Sequence, residues 1–227
     1  MTAYIRPLTS LDLDRCAALE SAAFPPSEAA TYEKSLNLAT EPAINVSFIK
    51  IDYRLSSCPE LCYGLFLRNP DAAAPDPSIV RVLSSADAQD KDGILVAHTI
   101  ATKARATLIV DQDMDYPKDW KTNPRAVADA GHQPSGTSVA LHSLAVSPDY
   151  QRQGLGKLLM GKYIEQVKKL DGVERISILT YERLVPYYEK LGFKNHGKSA
   201  ATYAGVSWYD LVRFAHALFW EGHADMH

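Results

Sequence analysis

Apolar residues alternate with polar ones, or run unbroken, in short stretches punctuated by glycine, proline and aspartate, and that rhythm outlines strands and helices along the chain. AYIRPLT, from residue 3, reads as a short strand. SLDLDRCAALESAAF then carries apolar positions at Leu13, Cys16, Ala17, Leu19 and Ala23, which is helical spacing, with Ser10 as the candidate N-cap and aspartates in the first turn. Pro25 and Pro26 stop this helix, and a second helical stretch is expected over 29–38. LCYGLFL and GILVAHTIAT read as strands, joined by an excursion over 69–93 that is rich in proline, aspartate and serine. A second excursion, over 103–135, contains DQDMDYPKDW and DAGHQPSG. Inserts this long are uncommon in compact domains unless they act as lids or flexible segments.

From residue 136 the pattern is denser: strand 139–146, helix 154–169, strand ERISILT, helix LVPYYEKL, and strands near 201–204 and 207–214. Strands alternating with helices imply an α/β sheet with parallel pairing in this half. The length, 227 residues with 46% hydrophobic, suits a single domain over 1–227 with one sizeable core. A formal net charge of -3 supplies no global field for nucleic acid or an anionic membrane, so neither is expected as a partner. The N-terminus lacks the basic flank and apolar core of a signal peptide, and no window approaches the roughly 18 apolar residues of a membrane span, so a cytoplasmic protein is expected. Cys16, Cys58 and Cys62 lack paired zinc spacing, CPELC alone offering two ligands, so reduced thiols and no metal are expected.

QRQGLGK lies between a strand and a helix, where free backbone N–H groups and the positive end of the helix dipole can hold a phosphate. Gly154 and Gly156 remove side chains where a ligand approaches the backbone, and Arg152 and Lys157 can add charge-assisted contacts. The spacing matches neither the Walker loop nor the dinucleotide-binding G-x-G-x-x-G. The same run would also serve as a glycine-eased turn with no ligand.

Taken with its neighbours, SPDYQRQGLGKLLM followed by ISILT and LVPYYEKLGF resembles the acetyl-CoA-binding core of the GNAT superfamily of N-acetyltransferases. Gln151, Gly154 and Gly156 match that family's [RQ]-x-x-G-x-[GA] pattern, and YEKLGF, residues 188–193, matches its second signature. CPELCYGLF, HSLAVSP and ERLVPYYEKLGF further resemble the aralkylamine N-acetyltransferases, over roughly 4–67, 94–102 and 136–214, with both inserts outside the likeness. The resemblance implies a GNAT fold, a mixed sheet of about seven strands flanked by helices, and acetyl-CoA as co-substrate. It further implies a cradle for the CoA pyrophosphate at Gln151, Arg152, Gln153, Gly154, Leu155, Gly156 and Lys157. Leu144, Ala145 and Val146 match the strand whose backbone bonds the pantetheine arm.

An alkylamine with a pKa of about 10.4 is unprotonated in less than about one molecule in a thousand at neutral pH, so acetylation needs a base or a proton route. The resemblance makes His142 that base, since histidine titrates near the operating pH, with Thr102 at a hydroxyl position near the proton path. The family carries H-x-H here; this chain reads Ala140-Leu141-His142, keeping only the second histidine. The residues alone also fit a core imidazole and a β-branched strand residue. Tyr188 aligns with the family's acid for the leaving thiolate and Tyr187 with its aromatic neighbour, although both also fit core aromatics. Phe24 and Pro25 end the first helix where such folds open toward the acceptor. Glu182 would favour a polyamine if it faces the site, or is a solvated residue at a helix start. The expected function is acetylation of small primary amines, arylalkylamines first and polyamines next, by a monomer or weak dimer. The alternatives are acetylation of protein lysines or N-termini, and a non-catalytic acyl-CoA sensor.

Overall fold

The computed structural model describes residues 3–24, 46–69, 75–84, 93–124, 126 and 128–215. The strands among them are β1 (Ala3–Pro7), β2 (Tyr63–Leu67), β3 (Arg81–Val82), β4 (Ile94–Ala104), β5 (Ser138–Val146), β6 (Arg175–Thr180), β7 (Lys194–Lys198) and β8 (Tyr209–Phe214). The helices are α1 (Leu13–Ala23), α2 (Val46–Ser57), α3 (Asp111–Met114), α4 (Leu155–Val167) and α5 (Val185–Glu189). One mixed sheet runs β3-β1-β2-β4-β5-β6-β8-β7, parallel at β1/β3 and β5/β6 and antiparallel elsewhere. The eighth strand, beyond the roughly seven expected, is β3, a two-residue edge contributed by the first insert.

The two larger cores among the described residues sit on opposite faces of the sheet. One joins Leu158, Leu159, Tyr163 and Val167 of α4 and Val185 and Tyr188 of α5 to Val139 and Leu141 of β5. The other joins Cys16 of α1 and Ile51 and Leu55 of α2 to Tyr4, Phe66 and Ile100. Each fully buried aliphatic or aromatic side chain contributes about 1.5–3 kcal/mol, and the alternation of β5 splits its side chains between the two faces. Cys16, Cys58 and Cys62 are buried free thiols. No helix among the described residues is long and apolar enough to cross a membrane.

Several elements differ from the sequence pattern, for physical reasons. The first helical turn is capped by Thr9, not Ser10: the Thr9 hydroxyl accepts the Leu11 N–H at 3.3 Å, and Asp12 accepts the Thr9 N–H at 3.1 Å. Asp12 is held there by Arg6, whose guanidinium donates to both carboxylate oxygens at 2.7 and 2.8 Å in a buried pair. Helix α2 is not announced by hydrophobic spacing because its buried face mixes Lys50 and Arg54 with Ile51 and Leu55. The strand expected near 201–204 is instead a turn, Tyr203–Gly205, with Ala204 at φ 56°. The strand in this region is β7, an edge strand of lysines, asparagine and histidine that shows no apolar alternation. The helix expected over 29–38, together with Pro25, lies outside the described residues.

Candidate functional site

The sheet opens at β5. Strands β5 and β6 pair from Ser138/Arg175 to Leu141/Ile178, after which residues 142–146 and 179–180 have no recorded partner across that gap. On its other side β5 stays bonded to β4 as far as Val146. The result is a wedge in which Leu144, Ala145 and Val146 form a strand edge not paired with β6. At its wide end α4 begins. Gly154 precedes it at φ 81°, with no atom within 4 Å of where a Cβ would sit, and the helix N-terminus has no side-chain cap. Gln151, Arg152, Gln153 and Lys157 are exposed around this start, and Arg152 itself takes φ 60°. The Gln151 and Gln153 side chains hold the loop by donating to the carbonyls of Val146 (3.0 Å) and Asp149 (3.1 Å). A Cβ on Gly156 would meet the Tyr187 hydroxyl at 3.2 Å and Val146 Cγ2 at 3.3 Å, so bulk there would crowd the wedge.

His142 stands where the strand pair parts, and it stands on a bulge. Ile100 pairs with Ser143 and the next β4 residue, Ala101, with Leu141, leaving His142 as the extra residue. A bulge re-aims side chains: here both His142 and Ser143 find partners on the α1/α2 face. His142 Nε2 lies 2.8 Å from Thr102 Oγ1, while its Nδ1 is buried without a partner among the described residues. Burial, then the nearby cations Arg54 and Lys50, hold the imidazole well below its ordinary pKa, so it is neutral at neutral pH. Lys50 Nζ donates to the Met114 carbonyl (3.0 Å) and meets the Tyr203 hydroxyl (2.9 Å); Arg54 donates to the same carbonyl at 3.2 Å. Burial first, and then Arg54, bring Lys50 down to about 7.

Next to the bulge, at Ser143, is a carboxylate. Glu20 of α1 accepts from Ser47 at 2.8 Å and lies 3.4 Å from His98 Nε2, and Ser143 also bonds it. Burial alone would raise Glu20, but His98, Ser143 and Ser47 outweigh it and hold the carboxyl below its ordinary range.

Tyr188 lies on the opposite face of the sheet, in the α4/α5 core, stacked edge-on against Tyr187 and Phe193. Burial pushes its phenol far up, and that of Tyr187 to about 12. Tyr187 sits beside Gly156 and Val146, on the cradle side of the wedge. Phe24 is half-buried one turn beyond Glu20, its N–H closing on the Glu20 carbonyl at 3.0 Å. Glu182 is exposed and accepts from the Tyr209 hydroxyl at 3.0 Å. The structure thus gathers His142 and Thr102 at the bulge, and Leu144–Val146, Gly154–Gly156 and Tyr187 along the wedge. Glu182 shares no recorded contact with either group.

Residues 124–212, which include this wedge, match the family described as acetyltransferase (GNAT) domain. This stretch is a GNAT acetyltransferase domain. The serotonin N-acetyltransferase of Mesocricetus auratus is 34% identical over 80 residues, 35% of this chain and 39% of that protein, so the chain matches well under half of the relative's length. Among solved structures, the loading GNATL domain of CurA from Lyngbya majuscula is similar at TM-score 0.57 and 16% identity, covering 95% of this chain and 98% of its own. The PaiA N-acetyltransferase from Thermoplasma acidophilum, in complex with coenzyme A, has TM-score 0.51 and 15% identity, covering 94% and 99%. At these identities the likeness is one of fold, and the mixed sheet flanked by helices is a GNAT fold.

The candidate site contains groups that the sequence pattern passes over: Glu20, Lys50, Arg54, His98, Ser143 and Tyr203. His98 carried the same signal as His142, a histidine within an apolar strand. The others carried none, being ordinary helix, strand or turn residues. No group of three metal-binding side chains occurs among the described residues.

Proposed function

We propose that the protein transfers an acetyl group from acetyl-CoA to a small primary amine, with arylalkylamines as the favoured class. The observation that carries this reading is the wedge: β5 leaves β6 at the His142 bulge, just before a glycine-headed, uncapped helix start. The partial likeness to serotonin N-acetyltransferase and the coenzyme A complex of PaiA support the donor and the acceptor class.

The edge at Leu144–Val146, not paired with β6, suits the amide groups of a pantetheine arm, which would add to the sheet like a further strand. The first N–H groups of α4 suit a pyrophosphate, assisted by Arg152 and Lys157. A backbone N–H of the edge can polarise the thioester carbonyl at no side-chain cost. His142 and Tyr188 lie on opposite faces of the sheet, so the amine attacks from the α1/α2 side and the sulfur leaves on the α4/α5 side. Neutral His142 takes the proton that the ammonium must lose, and because Lys50 and Arg54 make the imidazolium costly it passes that proton on, with Thr102 at 2.8 Å as the first hydroxyl on the route. The amine nitrogen then bonds to the carbonyl carbon, and the carbon–sulfur bond breaks. Tyr188, protonated at any physiological pH, gives its proton to the thiolate and regains one from the new amide nitrogen. Polyamines follow as a second class; their expected recognition by Glu182 is weakened by its engagement with Tyr209 at an exposed position.

Purified protein incubated with acetyl-CoA and tryptamine, phenethylamine or spermidine should release free thiol, fastest with the aromatic amines. His142→Ala and Tyr188→Phe should each lower kcat by about 10²- to 10⁴-fold. No thiol release above background across this panel discards the reading.

A further inference from the structure

Resting on that reading, we infer that Glu20 is the residue that receives the acceptor's ammonium group and orients it toward the His142 bulge. The charges around the bulge are laid out asymmetrically. Lys50 and Arg54 of α2 act on His142 itself, whereas Glu20 of α1 reaches the next residue, Ser143, and through His98 is joined to it. From β4 the neighbours are Thr102 at His142 and His98 at Glu20 and Ser143. A cationic acceptor entering on this face is repelled by Lys50 and Arg54 and attracted by Glu20, so its nitrogen has one favourable partner.

Glu20 is built for that role. Its carboxylate is gripped by Ser47 at 2.8 Å from α2, by His98 at 3.4 Å from β4, and by Ser143 from β5, so three elements fix its orientation. His98 is itself fully buried, with no surface left for a substrate, and serves as a positioning residue. Glu20 keeps 17% of its side-chain surface open, which leaves room for a direct ion pair. A carboxylate that served only to satisfy a buried histidine would need neither two further donors nor a position beside the bulge. One turn later the same helix ends at half-buried Phe24, so an ammonium on Glu20 and an aromatic ring against Phe24 match the two ends of an arylalkylamine.

The arrangement also divides the work at the nitrogen. Glu20 holds the amine as a cation on arrival and stays ionised, since its donors stabilise the carboxylate form. The proton leaves through His142 and Thr102, and the freed electron pair attacks the thioester. Proton and charge balance: the ammonium releases one proton to solvent, and the second amine proton ends on CoA through Tyr188.

The test compares two acceptors of similar shape, phenethylamine, which is a cation at neutral pH, and O-benzylhydroxylamine, which is uncharged there. With Glu20→Gln, kcat/KM for phenethylamine should fall by about tenfold or more, carried by KM, while that for O-benzylhydroxylamine changes by less than about threefold. Glu20→Asp, which keeps the charge, should recover part of the phenethylamine loss. Acetyl-CoA affinity, measured by calorimetry, reports whether each variant is folded. If Glu20→Gln binds acetyl-CoA poorly, Ser47→Ala replaces it in the same comparison, with a smaller selective loss of about threefold for the charged amine. Equal losses on both acceptors, in whichever variant is folded, overturn the role of Glu20 and leave the transferase reading intact. Absence of transfer by the unmodified protein to either acceptor overturns both.

Discussion

His142 titrates in the field of Lys50, and burial sets the direction for both. Desolvation disfavours the charged form of each, and the neighbouring Arg54 adds to that, bringing Lys50 to about 7 and His142 well below its usual value. Lys50→Met keeps the length of the side chain and removes one cation. An imidazolium on His142 then costs less, so its pKa rises, which an NMR titration of the imidazole would register as an upward move. An unchanged titration would show that the two groups are uncoupled. At this scale His142 was legible because a histidine interrupts an apolar strand just before a glycine loop. His98 had the same signature in VAHTI, but its meaning depends on Glu20, 78 residues away in sequence.

Two glycines show how elements meet. A Cβ on Gly136 would overlap the backbone carbonyl of Ala104 at the end of β4, and a backbone atom there cannot turn aside. Gly136→Ala should therefore cost about 1–3 kcal/mol of stability, or displace the approach to β5. Gly154 has open space around it but takes φ 81°, so Gly154→Ala pays only the left-handed backbone cost of roughly 1–2 kcal/mol and acts at the helix start. Chemical denaturation should rank Gly136→Ala as at least equally destabilising, while calorimetry should show the larger loss of acetyl-CoA affinity for Gly154→Ala. The reverse order in both measurements would mean that the loop geometry does not matter for the donor. Helix α4 and strand β5 were readable because one face of each is apolar. Helix α2 and strand β7 were not, since α2 buries Lys50 and Arg54 and β7 is a polar edge.

Across the whole molecule, acid should act in two successive ranges. Burial, then Lys103, depress His132 to about 4, and its Nδ1 accepts the Lys103 N–H at 3.1 Å, tying the second insert to β4. The unfolded chain protonates this histidine near about 6.5, so between there and about 4 the unfolded state binds more protons and stability declines as pH falls. His142 adds to the same decline, its folded pKa being depressed as well. Asp12 and Glu20 have the opposite chemistry and the same sign: their partners hold them below ordinary carboxyl values, so the stability they contribute is present above about 4 and is lost as pH falls through their folded pKa values. Urea midpoints measured against pH should show both ranges, and His132→Gln should flatten part of the upper one. A midpoint independent of pH between about 6.5 and 4 would contradict the burial of these imidazoles.

The glycine loop, the helix it heads, the apolar strand before it and the aromatic helix that follows are legible along the chain, because periodicity and turn chemistry are written in neighbouring residues. Tertiary contacts part β5 from β6 after Leu141, make His142 the extra residue of a bulge, and bring Glu20 of α1 and Lys50 and Arg54 of α2 to the residues around it. Those outcomes depend on register and on packing between segments far apart in the chain. A one-residue shift against β4 changes which face a side chain takes, and no local pattern records it.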